Sequence, residues 1–249
     1  MRKKIVFWTL AVVITLLTSV FQRATGPTNP KKAEININGH EYKLKFQRAV
    51  TTDNPIITFG HCDNSVQGVL YWREHNSNEP FKALNLVVSD GKISAVLPEK
   101  EKLTKIDYYV QINDEVIFRE NPLVLRYKDP VPVFLLIVHI VFMFAAMLFA
   151  VYGIFLGLDN NKKVLVYLHL TLWNLILGGI IIGAAVQKYA FGVYWSGFPF
   201  GMDITDNKTL LATLLLLAAL PLQKKKYFRY FAVAAFAMMF VVFFIPHSV

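Results

Sequence analysis

Two histidines, His139 and His169, and one asparagine, Asn174, stand inside long apolar runs. Polar groups in hydrocarbon are costly and mark functional hypotheses, and imidazoles ligate haem and transition metals. At a rise of about 1.5 Å per residue, His139 lies about 10 Å from one end of its run and His169 about 8 Å from the opposite end of the next. Antiparallel helices would hold the two rings at different depths. A shared metal or a bis-histidine haem is therefore not expected, and no cofactor is assigned. Haem or metal held separately at either ring is the alternative. Hydrogen bonding between helices is the expected use of His139, His169 and Asn174. His139, Met143 and Met147 share one helical stripe; methionine is a common gap-filler, so the stripe reads as packing.

The second chemical candidate is the stretch SGFPFGMDITDNKT, Ser196–Thr209. Gly197, Pro199 and Gly201 would set a fixed backbone path. Thr205 or Asp206 suits the N-cap of a following helix, where a side-chain oxygen accepts from free backbone N–H groups. Capping leaves Asp203, Asn207 and Lys208 less explained; an ordered structural loop is the first reading of the stretch, before docking and before ion binding. Asp203, Asp206 and Asn207 have the oxygen chemistry of a hard-cation site such as Ca²⁺. Docking against another subunit or against the β-rich part of the chain would use Trp195 and Phe198 together with Asp203, Asp206, Asn207 and Lys208. Tyr189, Phe191, Tyr194 and Trp195 read as an aromatic belt at a membrane boundary.

These residues must be positioned by elements that cross a bilayer. The chain has 249 residues, 55% of them hydrophobic. The first apolar run, Ile5 to Phe21, follows Arg2-Lys3-Lys4 and reads as a retained signal anchor over 1–21, with a Gly/Pro/Thr linker over 22–30. After residue 130 come four further runs: Val131 to Leu158, Val164 to Val186, Leu210 to Leu222 and Tyr227 to Ile245. They predict a four-helix membrane bundle over 130–249 with a connecting loop over 187–209. The small-residue pairs Gly153/Gly157 and Gly179/Gly183 suit close helix approach.

The formal charge of +9 is not a nucleic-acid footprint. Residues 22–130 hold 15 basic and 14 acidic side chains, and 188–208 hold two of each. The remaining 9 cations and 1 acid fall in three short clusters beside apolar runs: Arg2-Lys3-Lys4, Lys162-Lys163, and Lys224-Lys225-Lys226 with Arg229. Such clusters mark cytoplasmic flanks. They predict a cytoplasmic N-terminus, with the 31–129 region, the 187–209 loop and the C-terminus outside.

Residues 31–129 alternate with the period of strands. AEININGHEYKLKF carries apolar positions two apart around an Asn38-Gly39 turn, and VQGVLYWRE, FKALNLVV, KISAVLP, KIDYYVQI and PLVLRY follow at turn-separated intervals. This spacing predicts an all-β sandwich of fibronectin-III or Ig type. Val69, Tyr71, Ile106, Tyr108 and Val110 are its expected core or cross-strand positions. Cys62 is the only cysteine, so no intrachain disulfide forms, and it reads as a buried small residue. There is no Gly-rich phosphate loop, HExxH, G-x-S-x-G or cysteine pair.

QRATGPTNP after the anchor, PVPVFLLIVHIVFMFAAML entering the bundle, and SGFPFGMDITDNKT together resemble a group of bacterial inner-membrane proteins without assigned activity. That resemblance covers nearly the whole chain. It implies a bacterial cytoplasmic-membrane location and a loop built for a purpose, with no particular chemistry. The expected fold class is α+β: an N-terminal membrane anchor, an extracytoplasmic β-sandwich and a four-helix bundle. The expected role is an accessory subunit that contacts membrane lipid and a protein partner in the envelope.

Overall fold

The structure, a computed structural model, describes residues 2–26, 28–37, 40–63 and 65–244. The chain is α+β and divides into two compact units: helices before residue 27 and after residue 130, and strands between them. The expected Asn38-Gly39 turn and the last residue of the final run, Ile245, lie outside the described residues.

The strand unit holds three sheets around one apolar core. Lys31–Ile37 pairs antiparallel with His40–Phe46. In the largest sheet, Lys105–Ile112 is central, with Gly68–Glu74 and Leu123–Lys128 antiparallel on its two sides; Lys82–Asn85 and Ala49–Thr51 continue outward. A third sheet joins Ile56–His61, Lys92–Val96 and Val87–Ser89. Leu44 and Phe46, Ile57 and Phe59, Ile93, Ile106 and Leu125 contribute to the same core from all three sheets. Alternation puts every second residue inward.

The expected core or cross-strand positions divide between the two kinds. Ile106, Tyr108 and Val110 are fully buried, but in Gly68–Glu74 the inward residues are Leu70 and Trp72, not Val69 and Tyr71. Both faces of VLYW are apolar, so the sequence carries no phase there. Register decides it, with Leu70 opposite Val110 and Trp72 opposite Tyr108. Tyr71 packs on the other face, stacked on the cross-strand Tyr109 with centroids 4.8 Å apart.

The two fully buried phenols of this unit both have partners. The Tyr108 hydroxyl donates to Gln47 O at 2.6 Å and the Tyr127 hydroxyl to Pro98 O at 2.8 Å. Burial pushes both phenols well above the usual tyrosine range. Cys62 is buried, and desolvation raises its thiol, which suits a packing role.

Asp129 accepts from Thr52 and pairs with Lys102, and the Lys102 hydrogen bond leads in holding its carboxyl below the ordinary aspartate range. A group depressed in the folded state stabilises above its unfolded pKa of about 3.9. That contribution is lost as pH falls through the lower folded value. Acid titration of thermal unfolding should therefore show a loss below about pH 4 that Asp129→Asn reduces; equal acid sensitivity in the variant would contradict it.

In the helical unit, α1 spans Arg2–Thr25 and α2 Val133–Leu158. The next run begins as α3, Val164–Leu175, passes through a π-helical segment at Ile176–Ile182 and ends as α4, Gly183–Phe191. Then follow α5, Ile204–Ala219, with a 3₁₀ turn at Leu220–Leu222, and α6, Phe228–Phe244. Among the described residues, four helices, Arg2–Thr25, Val133–Leu158, Val164–Phe191 and Ile204–Leu222, are long and apolar enough to cross a membrane; Phe228–Phe244 is shorter.

Helix α1 continues through Thr25, into the stretch read as linker. Its Thr25 hydroxyl bonds back to Phe21 O, and Gln22 Nε2 donates to Phe243 O on α6. Ala11, Thr15 and Thr18 form its buried face. Trp8 stacks on Tyr152 of α2 at 4.1 Å, and Phe7 stacks on Phe155 at 5.4 Å. Gly153 and Gly157 are the close-approach points expected of them: Gly153 faces the Phe236 ring of α6, and Gly157 faces Val233.

Candidate functional site

The Ser196–Thr209 stretch is built from its two flanking helices. Helix α4 ends at Gly192, whose left-handed φ of 83° lets its N–H bond to Lys188 O at 2.9 Å. Lys188 Nζ donates to Gly192 O at 2.6 Å and sits 5.2 Å from the Tyr194 ring centroid. The chain then folds on itself: the N–H groups of Phe200 and Gly201 both reach Gly197 O at 2.9 Å, and Asp203 N–H reaches Ser196 O at 3.0 Å. Trp195 Nε1 donates to Phe198 O at 3.0 Å, and the Phe198–Pro199 peptide is cis.

Helix α5 begins earlier than the apolar run suggests, and its N-cap is Asp203 rather than Thr205 or Asp206. Asp203 Oδ1 accepts from Thr205 N–H at 2.8 Å and from Asp206 N–H at 3.2 Å. Asp206 is thus released for another task. Its Oδ2 accepts from Ser196 N–H at 2.6 Å, Gly197 N–H at 3.1 Å and the Ser196 hydroxyl at 3.2 Å. Gln187 Nε2 on α4 donates in turn to Ser196 Oγ at 2.5 Å. Gln187, Ser196 and Asp206 form one chain of donors and acceptors from α4 to α5. Asn207 Oδ1 accepts from Phe198 N–H at 2.6 Å. Lys208 is buried, and its charge interacts with the Asp203 carboxylate.

Gly197 is required by contact. A Cβ there would stand 2.6 Å from Asp206 Cβ and 2.8 Å from Asn207 Oδ1. At Gly201 a Cβ would meet Ser196 O.

The structure therefore brings Trp195, Phe198, Asp203, Asp206, Asn207 and Lys208 together but gives them unequal roles. The side-chain oxygens that could have held a hard cation accept loop and helix N–H groups. Among the described residues, no three His, Cys, Asp or Glu side chains gather as a metal-binding group. What the loop turns outward is apolar. Phe200 is 83% exposed and Met202 84%; Phe198 and Tyr194 are exposed beside them. Phe200, Met202, Gln187 and Ser196 were not singled out in the sequence, although apolar residues set between Gly and Pro positions were the available signal.

No family model, curated protein or solved structure matches this chain.

The intramembrane polar residues are dispersed. His139 Nδ1 lies 2.8 Å from Gly178 O, within the π-helical segment. A carbonyl can only accept, so Nδ1 carries the proton. Gly178 O also accepts from Gly183 N–H, so one carbonyl serves the π turn and α2 together. His169 is exposed on α3, bonded to Leu165 O of its own helix at 2.9 Å. Asn174 likewise bonds to Leu170 O of its own helix at 2.7 Å, not to a neighbour as expected. The i−4 carbonyl is the closest acceptor to a short polar side chain on a helix, and it wins. Along the third run, residue 169 stands about 13 Å below residue 178 by helical rise. His139 and His169 are separate features.

Proposed function

We propose that this chain is a membrane-embedded accessory subunit of a bacterial envelope complex that binds a protein partner through the 187–209 loop and its outer β-sandwich. The single observation that carries this reading is the division of the loop into an inward polar network and an outward apolar face. The Asp203, Asp206 and Asn207 side chains are committed to holding the backbone, so the loop's chemistry is spent on rigidity. A rigid loop displaying Phe198, Phe200 and Met202 suits an aromatic anchor that enters a partner's pocket at little ordering cost. The three largely antiparallel sheets of the strand unit, packed around one core, support a sandwich of fibronectin-III or Ig type, whose edges and faces bind proteins.

The distribution of cations supports an N-terminus in the cytoplasm with the loop and strand unit outside the cytoplasmic membrane. The aromatic contacts of α1 with α2 support its retention as an anchor rather than its removal.

Native mass spectrometry of the chain extracted from its own membrane in mild detergent tests the reading. A stoichiometric additional polypeptide, displaced when Phe200→Ala is introduced, is expected. A chain that carries no polypeptide, or one whose companion is indifferent to Phe200, would contradict it.

A further inference from the structure

We propose that the basic end of the helical unit seats one anionic phospholipid, its phosphate held by Arg2 and Lys4. A cavity of about 630 Å³ opens between the start of α1 and the turn after α2, within the range of small-molecule sites. Arg2, Lys3 and Lys4 line its cationic side, and Phe7 and Leu156 its apolar wall. Asn161 adds a polar group to the rim. Asp159 also lines it, an acid in an anion site, but Lys3 Nζ lies 3.1 Å from its Oδ1 and neutralises it. Arg2 and Lys4 then set the sign of the cavity.

The surrounding charge has the same sign. Lys162 and Lys163 directly follow Asn161 in sequence. Arg229 O would lie 3.8 Å from a Cβ on Gly157, which brings the start of α6, and with it Lys224-Lys225-Lys226, to this end. The three clusters read from the sequence, with 9 cations and 1 acid, thus converge. Just inward, Phe7 stacks on Phe155 and Trp8 on Tyr152, so α1 and α2 close against each other beneath the cations.

A free phosphate or nucleotide would satisfy the cations and leave the half-buried Phe7 facing water, beside a Leu156 that is already buried. A phospholipid satisfies both walls, because its phosphate and its glycerol–acyl junction meet the protein at the depth where charge gives way to hydrocarbon. The inference rests on the helical unit being embedded in a bilayer and is independent of what the 187–209 loop binds.

The test is native mass spectrometry of the purified full-length chain in mild detergent, titrated with phosphatidylglycerol, phosphatidylcholine or inorganic phosphate. One phosphatidylglycerol should be retained, at least about tenfold more tightly than phosphatidylcholine, as roughly one to two interfacial charges would give. Arg2→Gln with Lys4→Gln should weaken it roughly thirtyfold, from about fivefold per charge. Lys224→Gln with Lys225→Gln, at the same end but outside the cavity wall, should change it less than about twofold. Equal retention of the two lipids by the unaltered chain would overturn the proposal without recourse to any variant. So would inorganic phosphate binding as tightly as the lipid, or equal losses in the two double variants.

Discussion

Asp206→Ala is expected to destabilise the helical unit by about 3 kcal/mol and to expose the 193–203 segment to protease. One carboxylate oxygen satisfies two backbone N–H groups and a hydroxyl, and the residue is 8% exposed. Each buried donor left unpaired costs about 1–3 kcal/mol. Ser196 Oγ retains Gln187 as a partner, so the loss centres on the Ser196 and Gly197 N–H groups. Asp206→Asn keeps an acceptor oxygen and should lose less than half as much. Thermal unfolding in detergent together with limited proteolysis distinguishes the pair. Similar stability for Asp206→Ala and the unaltered chain would show that water replaces the carboxylate without loss.

The second large effect belongs to helix packing. Gly153→Leu is expected to separate α2 from α6 and to lower the unfolding midpoint more than any substitution on the exposed helix faces. A Cβ at this position would already stand 2.5 Å from the Phe236 ring, which is itself fully buried. Overpacking of this kind costs about 1–3 kcal/mol for a small increment and more for a large one. Gly153→Ala should lose a smaller part of the midpoint, and adding Phe236→Leu to it should recover much of that smaller loss, because the clash is with a side chain rather than with backbone. Failure of that rescue would place the constraint elsewhere on α2.

Much of the architecture was legible because it depends on period and run length. Two-residue alternation located the strands, and long apolar runs located the helices. Gly153 and Gly157 announced a close helix approach, because only a small residue lets two helices come so near, and the structure makes α6 the partner. The departures have local causes. Val69-Leu70-Tyr71-Trp72 is apolar on both faces, so only the partner strand fixes which side is buried. The start of α5 was placed too late because Thr205 to Lys208 is polar, and an apolar run marks burial rather than helix. The capping spacing Asp203-x-x-Asp206 held the correct start: the first acid caps, and the second reaches back into the preceding loop. The π-helical segment had a signal in Gly178-Gly179 and Gly183, but no sequence period separates it from α-helix. Its lasting mark is the Gly178 carbonyl shared with His139.

At the loop the residue types were read and their direction was not. Asp203, Asp206 and Asn207 were open to ligand binding as well as to loop ordering, because acids and amides at a surface turn face solvent by default. Here they face the backbone, and the exposed groups are Phe198, Phe200 and Met202. Direction is set by Gly197 and Gly201, which let the turn close tightly enough for carboxylate and amide to reach its N–H groups.

The central claim is that this inward network holds an apolar face for a protein partner. Its most direct test is a photo-crosslinking residue placed at position 200 in the full-length chain in its native membrane. The same probe at Leu211, exposed on α5, serves as the lipid-facing control. A single protein adduct of discrete size at position 200, absent at 211 and lost when Asp206→Ala is added, is the predicted result. Lipid adducts alone at position 200, or protein adducts indifferent to Asp206, would contradict the account and make the aromatic face a membrane-interface belt.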